Sequence, residues 1–267
     1  MNNQMGERKE LLNVKRLVVK VGTSTISYSN GRLNFKRIER LAFVLSALQS
    51  KGYEVILVSS GAIGVGAGRI GLSERPKDLS MKQALAALGQ AQLLKIYQKF
   101  FEGYNQVVAQ ILLTKDIMTV AYRHDNAQNT LLRLIEMNII PIINENDTIS
   151  TDEIEFGDND TLSAMVAKLT KADALIMMSD IDGLYSANPK EDANAEIISK
   201  VESITPEIEC LAKGTGSSFG TGGMQTKITA AKICYESKIQ TIIANGSNPE
   251  LIFEILEGKE IGTHFVV

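Results

Sequence analysis

The chain has 267 residues, of which 44% are hydrophobic, 22% charged and 6% aromatic. This composition excludes a disordered chain and a coiled coil, and the length fits one large domain or two lobes that share a core. The 28 basic and 31 acidic side chains give a net charge of −3. Because this balance leaves no positive surplus for a polyanionic backbone, we expect no nucleic acid partner.

Cysteine content and hydropathy indicate the cellular compartment of the protein. Cys210 and Cys234 form no CxxC pair, so neither a zinc site nor a disulfide framework is expected, and a reducing compartment fits. The first ten residues are polar, and no apolar run reaches the length of about 18 residues that a membrane span needs. We therefore expect a cytoplasmic protein with no membrane partner.

Six short apolar runs, of the kind buried in parallel sheets, follow one another along the chain. They cover residues 17–21, 54–60, 106–114, 139–146, 174–180 and 241–246. Helical patterns lie between them, at 38–48, 84–91, 131–137, 160–170 and 223–236. This alternation predicts an α/β fold, a three-layer αβα sandwich with a mostly parallel central sheet. We expect a single domain over 1–267, with approximate lobes at 1–170 and 171–267.

The carboxyl ends of these strands are the places to search for chemistry, because open α/β sheets bind ligands there. Lys20 stands near the end of the first predicted strand and is followed by Gly22 and other small residues. A lysine and exposed amides can hold a phosphate together. The alternative is a lysine that extends from a strand end to solvent.

The second strand ends in Ser60 and Gly61, where small residues allow a ligand to approach the backbone at a helix start. Further on, Gly66, Gly68 and Gly71 match the pattern GxGxxG. A dinucleotide site would need these glycines directly after the strand and an acidic residue about 20 residues later. Both features are absent from the sequence, which argues against that site, and the P-loop pattern is absent too.

An acidic stretch over 145–160 contains no lysine or arginine. An exposed acidic hairpin is the alternative for its middle part. Asp147, Asn159 and Asp160 flank that part, next to a strand end and a helix start, and could hold a substrate ammonium, a metal or the lysines of a phosphate site. The spacing does not fit a calcium-binding EF-hand loop.

The last candidate is the glycine-rich stretch 214–227, which leads into a helix near Gly223 and contains Lys227. Its amides and its lysine could close over phosphates, whereas the alternative is a flexible surface loop. Ser179 and Asp180, at the fifth strand end, could contact a ribose or a base, or cap a helix. No serine, cysteine or histidine arrangement for acyl transfer is visible.

Two lysines, two glycine-rich turns and an acidic pocket without a histidine base indicate phosphoryl transfer to an acceptor that is already ionised. A carboxylate is such an acceptor at pH 7. One lysine about 4 Å from the anions would offset roughly 4 kcal/mol of repulsion at an effective dielectric constant of 20. Two lysines could therefore determine the rate.

The motifs VVKVGTS, VSSGAIGVG, PIINENDT, FGDNDTLSA, MSDIDGLY and GTGGMQTK occur in this order between about residues 17 and 263. In order and spacing they resemble the glutamate 5-kinases of the amino acid kinase family. The resemblance implies that ATP phosphorylates the side-chain carboxylate of L-glutamate, in the first step of proline biosynthesis. It also implies an acceptor lobe over 1–170 and a nucleotide lobe over 171–267.

The resemblance assigns roles residue by residue. Lys20 and Lys227 would stabilise the transferring phosphoryl group, oriented by Asp160 and Asp158 and assisted by the amides of Gly22 and Gly61. Glutamate would contact Ser60, Asp147 and Asn159. The nucleotide would contact Lys20, Ser179, Asp180, Thr221, Gly222, Gly223, Met224, Gln225, Thr226 and Lys227.

The resemblance further implies a Mg²⁺ ion held mainly by the nucleotide phosphates, so that no residue is predicted as a metal ligand. It implies inhibition by proline and a homo-oligomer, a dimer or a tetramer. Many family members continue into an RNA-binding-like PUA domain, and we expect none here. Two alternatives remain open: a related kinase with another carboxylate acceptor, such as acetylglutamate, and a non-catalytic amino acid or nucleotide sensor.

Overall fold

The computed structural model of the chain describes residues 8–28, 31–72, 76–149, 159–189, 191–213 and 223–267. Its strands are β1 Arg16–Val21, β2 Glu54–Ser59, β3 Val108–Leu113, β4 Ile140–Glu145, β5 Ala174–Ser179, β6 Lys200–Val201, β7 Gln240–Asn245 and β8 Thr263–Phe265. Its helices are α1 Thr23–Ile26, α2 Phe35–Ser50, α3 Ala62–Arg69, α4 Leu79–Glu102, α5 Ala121–Glu136, α6 Asn159–Thr170, α7 Pro206–Lys213, α8 Met224–Glu236 and α9 Leu251–Leu256.

These strands form one sheet in the order β3-β4-β2-β1-β5-β7-β8-β6. All neighbours are parallel except β7 and β8, which pair antiparallel. The predicted α/β fold and its six strands are confirmed. The short strands β6 and β8, at one end of the sheet, were not predicted, because segments of two or three residues carry no recognisable apolar run.

Side chains alternate across the sheet and build a core on each face. On one face Leu17, Val19 and Val21 of β1 pack in the core formed with α2, α4 and α9. On the other face Val18 packs with α5, α6 and α8. The predicted three layers are therefore present, and Lys20, which shares the parity of Val18, projects towards α6 and α8.

The glycines after β2 bring two helices close together. A Cβ atom on Gly66 in α3 would lie 2.1 Å from the carbonyl oxygen of Leu85 in α4. A Cβ atom on Gly89 would lie 1.7 Å from the carbonyl oxygen of Ala62. Two of the residues that match GxGxxG, Gly66 and Gly68, thus lie inside a helix, where Gly66 serves helix packing.

The carboxyl ends of β1, β2, β4, β5 and β7 lie at the same edge of the sheet, as their parallel pairing requires. The helices α3 and α6 begin at this edge, soon after β2 and before β5. Within the described residues, no helix is both long enough and apolar enough to cross a membrane.

Candidate active site

One buried carboxylate holds two lysines that come from different parts of the chain. Lys20 Nζ lies 2.5 Å from Asp160 Oδ1, and Lys227 Nζ lies 3.0 Å from Asp160 Oδ2. The carboxylate is fully buried, and each lysine is only 6% exposed. The structure therefore brings together the three charged groups that the sequence singled out, in an arrangement with a net charge of +1.

The fold explains why these side chains meet. Lys20 leaves β1 on the α6 and α8 side of the sheet, while Asp160 and Lys227 lie in the first turns of α6 and α8. The positive ends of both helix dipoles thus point at the cluster. They favour the carboxylate of Asp160 and oppose the charge of Lys227, so the ion pair offsets an unfavourable helix position.

Two opposing influences act on the Asp160 carboxyl. Burial alone raises its pKa, but the ammonium groups of Lys20 and Lys227 outweigh burial and hold the pKa well below its usual value. Thr226 Oγ1 lies 2.8 Å from Asp160 Oδ2 and 2.8 Å from the carbonyl oxygen of Gly223, so its single proton is shared between these two acceptors. Asp160 is therefore ionised at neutral pH and fixed from three directions.

A second cluster of polar groups begins one residue earlier, at Asn159. Its Nδ2 donates to Ser60 Oγ at 2.9 Å and to Asn144 Oδ1 at 2.7 Å. The same nitrogen lies 3.2 Å from the carbonyl oxygen of Ser59. Because Asn159 and Asp160 are consecutive, the amide cluster and the lysine cluster lie side by side at the start of α6.

Two buried oxygen atoms near this cluster have no hydrogen-bond partner among the described residues, Asn159 Oδ1 and Asp147 Oδ1. Unsatisfied buried acceptors are costly, and they are explained where a ligand supplies the donor. Burial, and to a lesser extent Glu145, raises the pKa of the Asp147 carboxyl to about 7. A bound cation would therefore stabilise the ionised form of the Asp147 carboxyl.

Two glycine turns lie next to these clusters. Gly22 precedes α1, and a Cβ atom on it would lie 3.7 Å from Lys20 Nζ, which places its backbone beside the ammonium group. Gly61 precedes α3 with φ +107°, and a Cβ atom there would lie 2.9 Å from Ile26 Cδ1. Only glycine suits both the left-handed backbone and the space at Gly61.

The predicted nucleotide residues are divided between two places. Ser179 ends β5 and contacts Asp180 through a bond of 3.2 Å, while α8 starts after Gly223, as predicted, with Met224 buried and Gln225 exposed. The side-chain hydrogen bonds and ion pairs between described residues do not join Ser179 or Asp180 to the lysine cluster. Asp158, Thr221 and Gly222 lie outside the described residues.

Sequence reasoning missed two contributors. Asn144 lies in β4 and accepts hydrogen bonds from Asn159 and from the backbone of Glu145. A polar residue inside a buried strand was a usable signal for it. Tyr97 of α4 shares a hydrogen bond of 2.8 Å with Ser59 Oγ, and burial raises its pKa. A tyrosine within a helical pattern carries no such signal.

The next question is whether the described side chains could hold a metal ion. No group of three or more His, Cys, Asp or Glu side chains in the described ranges is placed to hold a metal ion. Both oxygens of Asp160 contact lysines or Thr226. The clusters are therefore suited to an anion beside the lysines and to a cation beside Asp147.

Comparison with known proteins shows the family to which the chain belongs. Residues 15–245 match the model of the amino acid kinase family. A glutamate 5-kinase of Listeria monocytogenes is 54% identical over 262 residues, which cover 97% of this chain and 95% of that protein. The glutamate 5-kinase of Clostridium perfringens is 52% identical over 263 residues, covering 97% of this chain and 98% of that protein.

Two solved structures share the fold at low sequence identity. A T. acidophilum isopentenyl phosphate kinase product complex matches with a TM-score of 0.62 and 18% identity, over 94% of this chain and all of that chain. A UMP kinase from Ureaplasma parvum matches with a TM-score of 0.64 and 16% identity, over 96% of this chain and all of that chain. These likenesses concern the architecture alone.

Replacing Asp160 by Asn should destabilise the folded chain. The substitution leaves two buried ammonium groups without their counter-ion, which costs about 3–5 kcal/mol of unfolding free energy. Urea unfolding at pH 7 measures the loss. Asp180→Asn is the matched control, because Asp180 is exposed and should change stability by less than about 0.5 kcal/mol. Equal unfolding midpoints for the two variants would contradict the ion-pair assignment.

Proposed function

The chain belongs to the amino acid kinase family and, within it, to the glutamate 5-kinases, and from this premise we propose its reaction. It transfers the γ-phosphate of ATP to the side-chain carboxylate of L-glutamate, which gives L-glutamyl 5-phosphate and ADP. This is the first step of proline biosynthesis. The observation that carries the proposal is the pair of buried lysine nitrogens held by the single carboxylate of Asp160.

The proposed reaction needs no general base. The glutamate side chain is ionised at pH 7, because its ordinary pKa is about 4.3, so it attacks the γ-phosphorus directly. The obstacle is repulsion between the carboxylate and the phosphate oxygens. Lys20 and Lys227 neutralise the charge that develops during transfer, and Asp160 keeps both ammonium groups in place before the substrates arrive.

The polar cluster at Asn159 supports the acceptor assignment. Ser60 Oγ accepts from Asn159 Nδ2 and keeps its own proton for a glutamate carboxylate. Asn159 Oδ1, unpaired among the described residues, and the Asp147 carboxylate are acceptors, which suit the α-ammonium group. An N-acetylated acceptor has no charge for Asp147 to pair with. We therefore assign the acceptor to the half over 1–170 and the nucleotide to the half over 171–267, with Lys20 and Asp160 reaching across to Lys227.

The nucleotide assignment rests on the strand end at Ser179 and Asp180 and on the start of α8, from Gly223 to Lys227. Helix amides and two ammonium groups fit a triphosphate. Mg²⁺ would be held mainly by the phosphates and would supply further charge neutralisation. Asp160 already bonds the lysines and Thr226, so it is not assigned as a metal ligand.

We also propose that L-proline inhibits the enzyme and that the chain forms a homo-oligomer, a dimer or a tetramer. Proline carries a cationic nitrogen next to a carboxylate, the same pair of charges as the backbone end of glutamate. Asp147 can therefore bind either molecule.

The proposed dimer or tetramer is tested separately. Light scattering of the purified protein measures its molar mass and therefore its oligomeric state.

Lys20→Ala and Lys227→Ala should each lower kcat for glutamate-dependent ADP formation by at least about a hundredfold, because each removes transition-state charge stabilisation. Lys232→Ala is the matched control, since Lys232 lies on α8 with Lys227 but is exposed and pairs with Glu209. It should keep kcat within about twofold. Near-normal turnover by either test variant, or ADP formation with acetylglutamate instead of glutamate, would overturn the proposal.

The KM for glutamate should fall about tenfold between pH 6 and pH 8. With a pKa of about 7, Asp147 is ionised in about one molecule in ten at pH 6 and nine in ten at pH 8, and only the ionised form pairs with an ammonium group. Asp147→Asn should raise the KM and abolish its pH dependence. A pH-independent KM in the parent enzyme would exclude Asp147 from this role.

Stability provides the control for Asp147→Asn. A carboxyl whose pKa is raised on folding stabilises the fold below its unfolded pKa of about 3.9, and this contribution is lost as the pH rises through about 7. The asparagine variant should therefore unfold no more easily than the parent at pH 8. A weaker fold at pH 8 would attribute a raised KM to misfolding.

Inhibition by proline should be competitive with glutamate and weaker in Asp147→Asn. Steady-state rates at several glutamate and proline concentrations measure both effects. Inhibition that glutamate cannot relieve would place proline at another site.

A further inference from the structure

A threonine in β8, which two strands separate from β1, holds the loop that follows β5. The Oγ1 atom of Thr263, in β8, accepts a hydrogen bond of 2.7 Å from the backbone nitrogen of Leu184. Both residues are buried, Thr263 completely. The loop 180–184 runs directly on from Ser179. This bond therefore fixes the far end of a loop whose first residue, Asp180, we assign to the nucleotide together with Ser179.

The loop packs against β8 without a spacer. A Cβ atom on Gly183 would lie 2.6 Å from Thr263 Oγ1 and 3.0 Å from the Thr263 backbone nitrogen. No side chain fits between the loop and the strand at this point. The position of Thr263 therefore sets the position of the loop backbone.

The end of β7 also holds the loop. Asn245 Nδ2, at the end of this strand, donates to Asp182 Oδ1 at 2.7 Å. The backbone nitrogen of Gly246 donates to the carbonyl oxygen of Ser179 at 2.6 Å. The segment from Ser179 to Leu184 is thus anchored at its start, its middle and its end.

The strand that carries Thr263 is itself fixed. Gly262 has φ +66°, and a Cβ atom on it would lie 2.1 Å from the carbonyl oxygen of Ile243 in β7. The buried guanidinium of Arg8 donates to the carbonyl oxygens of Ile261 and Gly262, at 2.6 and 2.8 Å. Thr263 is therefore a rigid reference point rather than a mobile side chain.

We propose that Thr263 is a positioning residue for nucleotide binding: its hydroxyl fixes the loop 180–184 and, through it, the contacts of Ser179 and Asp180 with ATP. This inference rests on the proposed function. Without the acceptor oxygen the buried Leu184 nitrogen loses its partner, and the loop shifts to find another one. Nucleotide contacts then weaken equally in the ground state and the transition state, which raises the KM for ATP and leaves kcat unchanged.

The test compares Thr263→Val, which keeps the shape and loses the acceptor, with Thr263→Ser, which keeps the hydroxyl. The valine variant should raise the KM for ATP about tenfold, with kcat and the KM for glutamate within about twofold of the parent. The serine variant should restore the parent KM. The matched control is Thr241→Val, because Thr241 is equally buried in the adjacent strand β7 and has no contact with the loop among the described residues.

An unchanged KM for ATP in the valine variant would overturn the proposal, as would an equal rise in the KM for both substrates or failure of serine to restore the parent value. If the valine variant does not fold, Asn245→Ala tests the same loop from β7. A severalfold rise in its KM for ATP supports the proposal, and a KM within twofold of the parent overturns it.

Direct binding separates this inference from the reaction itself. Calorimetric titration with ATP and Mg²⁺, without glutamate, should give the valine variant about a tenfold weaker Kd than the parent and the serine variant. This result would hold even if glutamate were not the acceptor. ATP binding by the parent without glutamate-dependent ADP formation would overturn the proposed function alone. Equal Kd values in all variants would overturn the role of Thr263 alone.

Discussion

The bond between Asp160 and its two lysines is the constraint on which the rest of the site depends. Two buried ammonium groups repel each other, so they can be held near one point only with a carboxylate between them. The remaining charge of +1 is suited to an anion at the same point. The charge needed for phosphoryl transfer is therefore assembled by the folded protein rather than by the substrates.

The sheet makes this arrangement possible. Strand alternation sends Lys20 to the face of β1 on which α6 and α8 begin, and these helices bring in Asp160 and Lys227. The adjacent residue Asn159 bonds Ser60 and Asn144, so the polar cluster and the lysine cluster share one helix start. The hydrogen bond from Leu184 to Thr263 holds the loop that follows β5, as Asp160 holds the lysines.

Local sequence signals predicted what depends on local patterns. Apolar runs identified the six longer strands, and a lysine or an acid at a strand end or helix start identified Lys20, Asp160 and Lys227. The residue patterns alone could not show that one carboxylate bonds both lysines, because the partners are separated by most of the chain; only the resemblance to a known family supplied that expectation. Nor could the patterns reveal Tyr97 or Thr263, whose roles arise from contacts with Ser59 and Leu184 that only the packed fold creates. The glycines of α3 also needed the structure, since Gly66 faces another helix.

The most direct test of this account is a crystal structure with a non-hydrolysable ATP analogue, Mg²⁺ and glutamate bound. The account predicts that Lys20 Nζ and Lys227 Nζ both lie within about 3.5 Å of oxygens on the analogue's terminal phosphate group. The glutamate side-chain carboxylate should lie in line with the bond to be broken. A terminal phosphate group bound away from Asp160, or one that contacts neither ammonium group, would contradict the account.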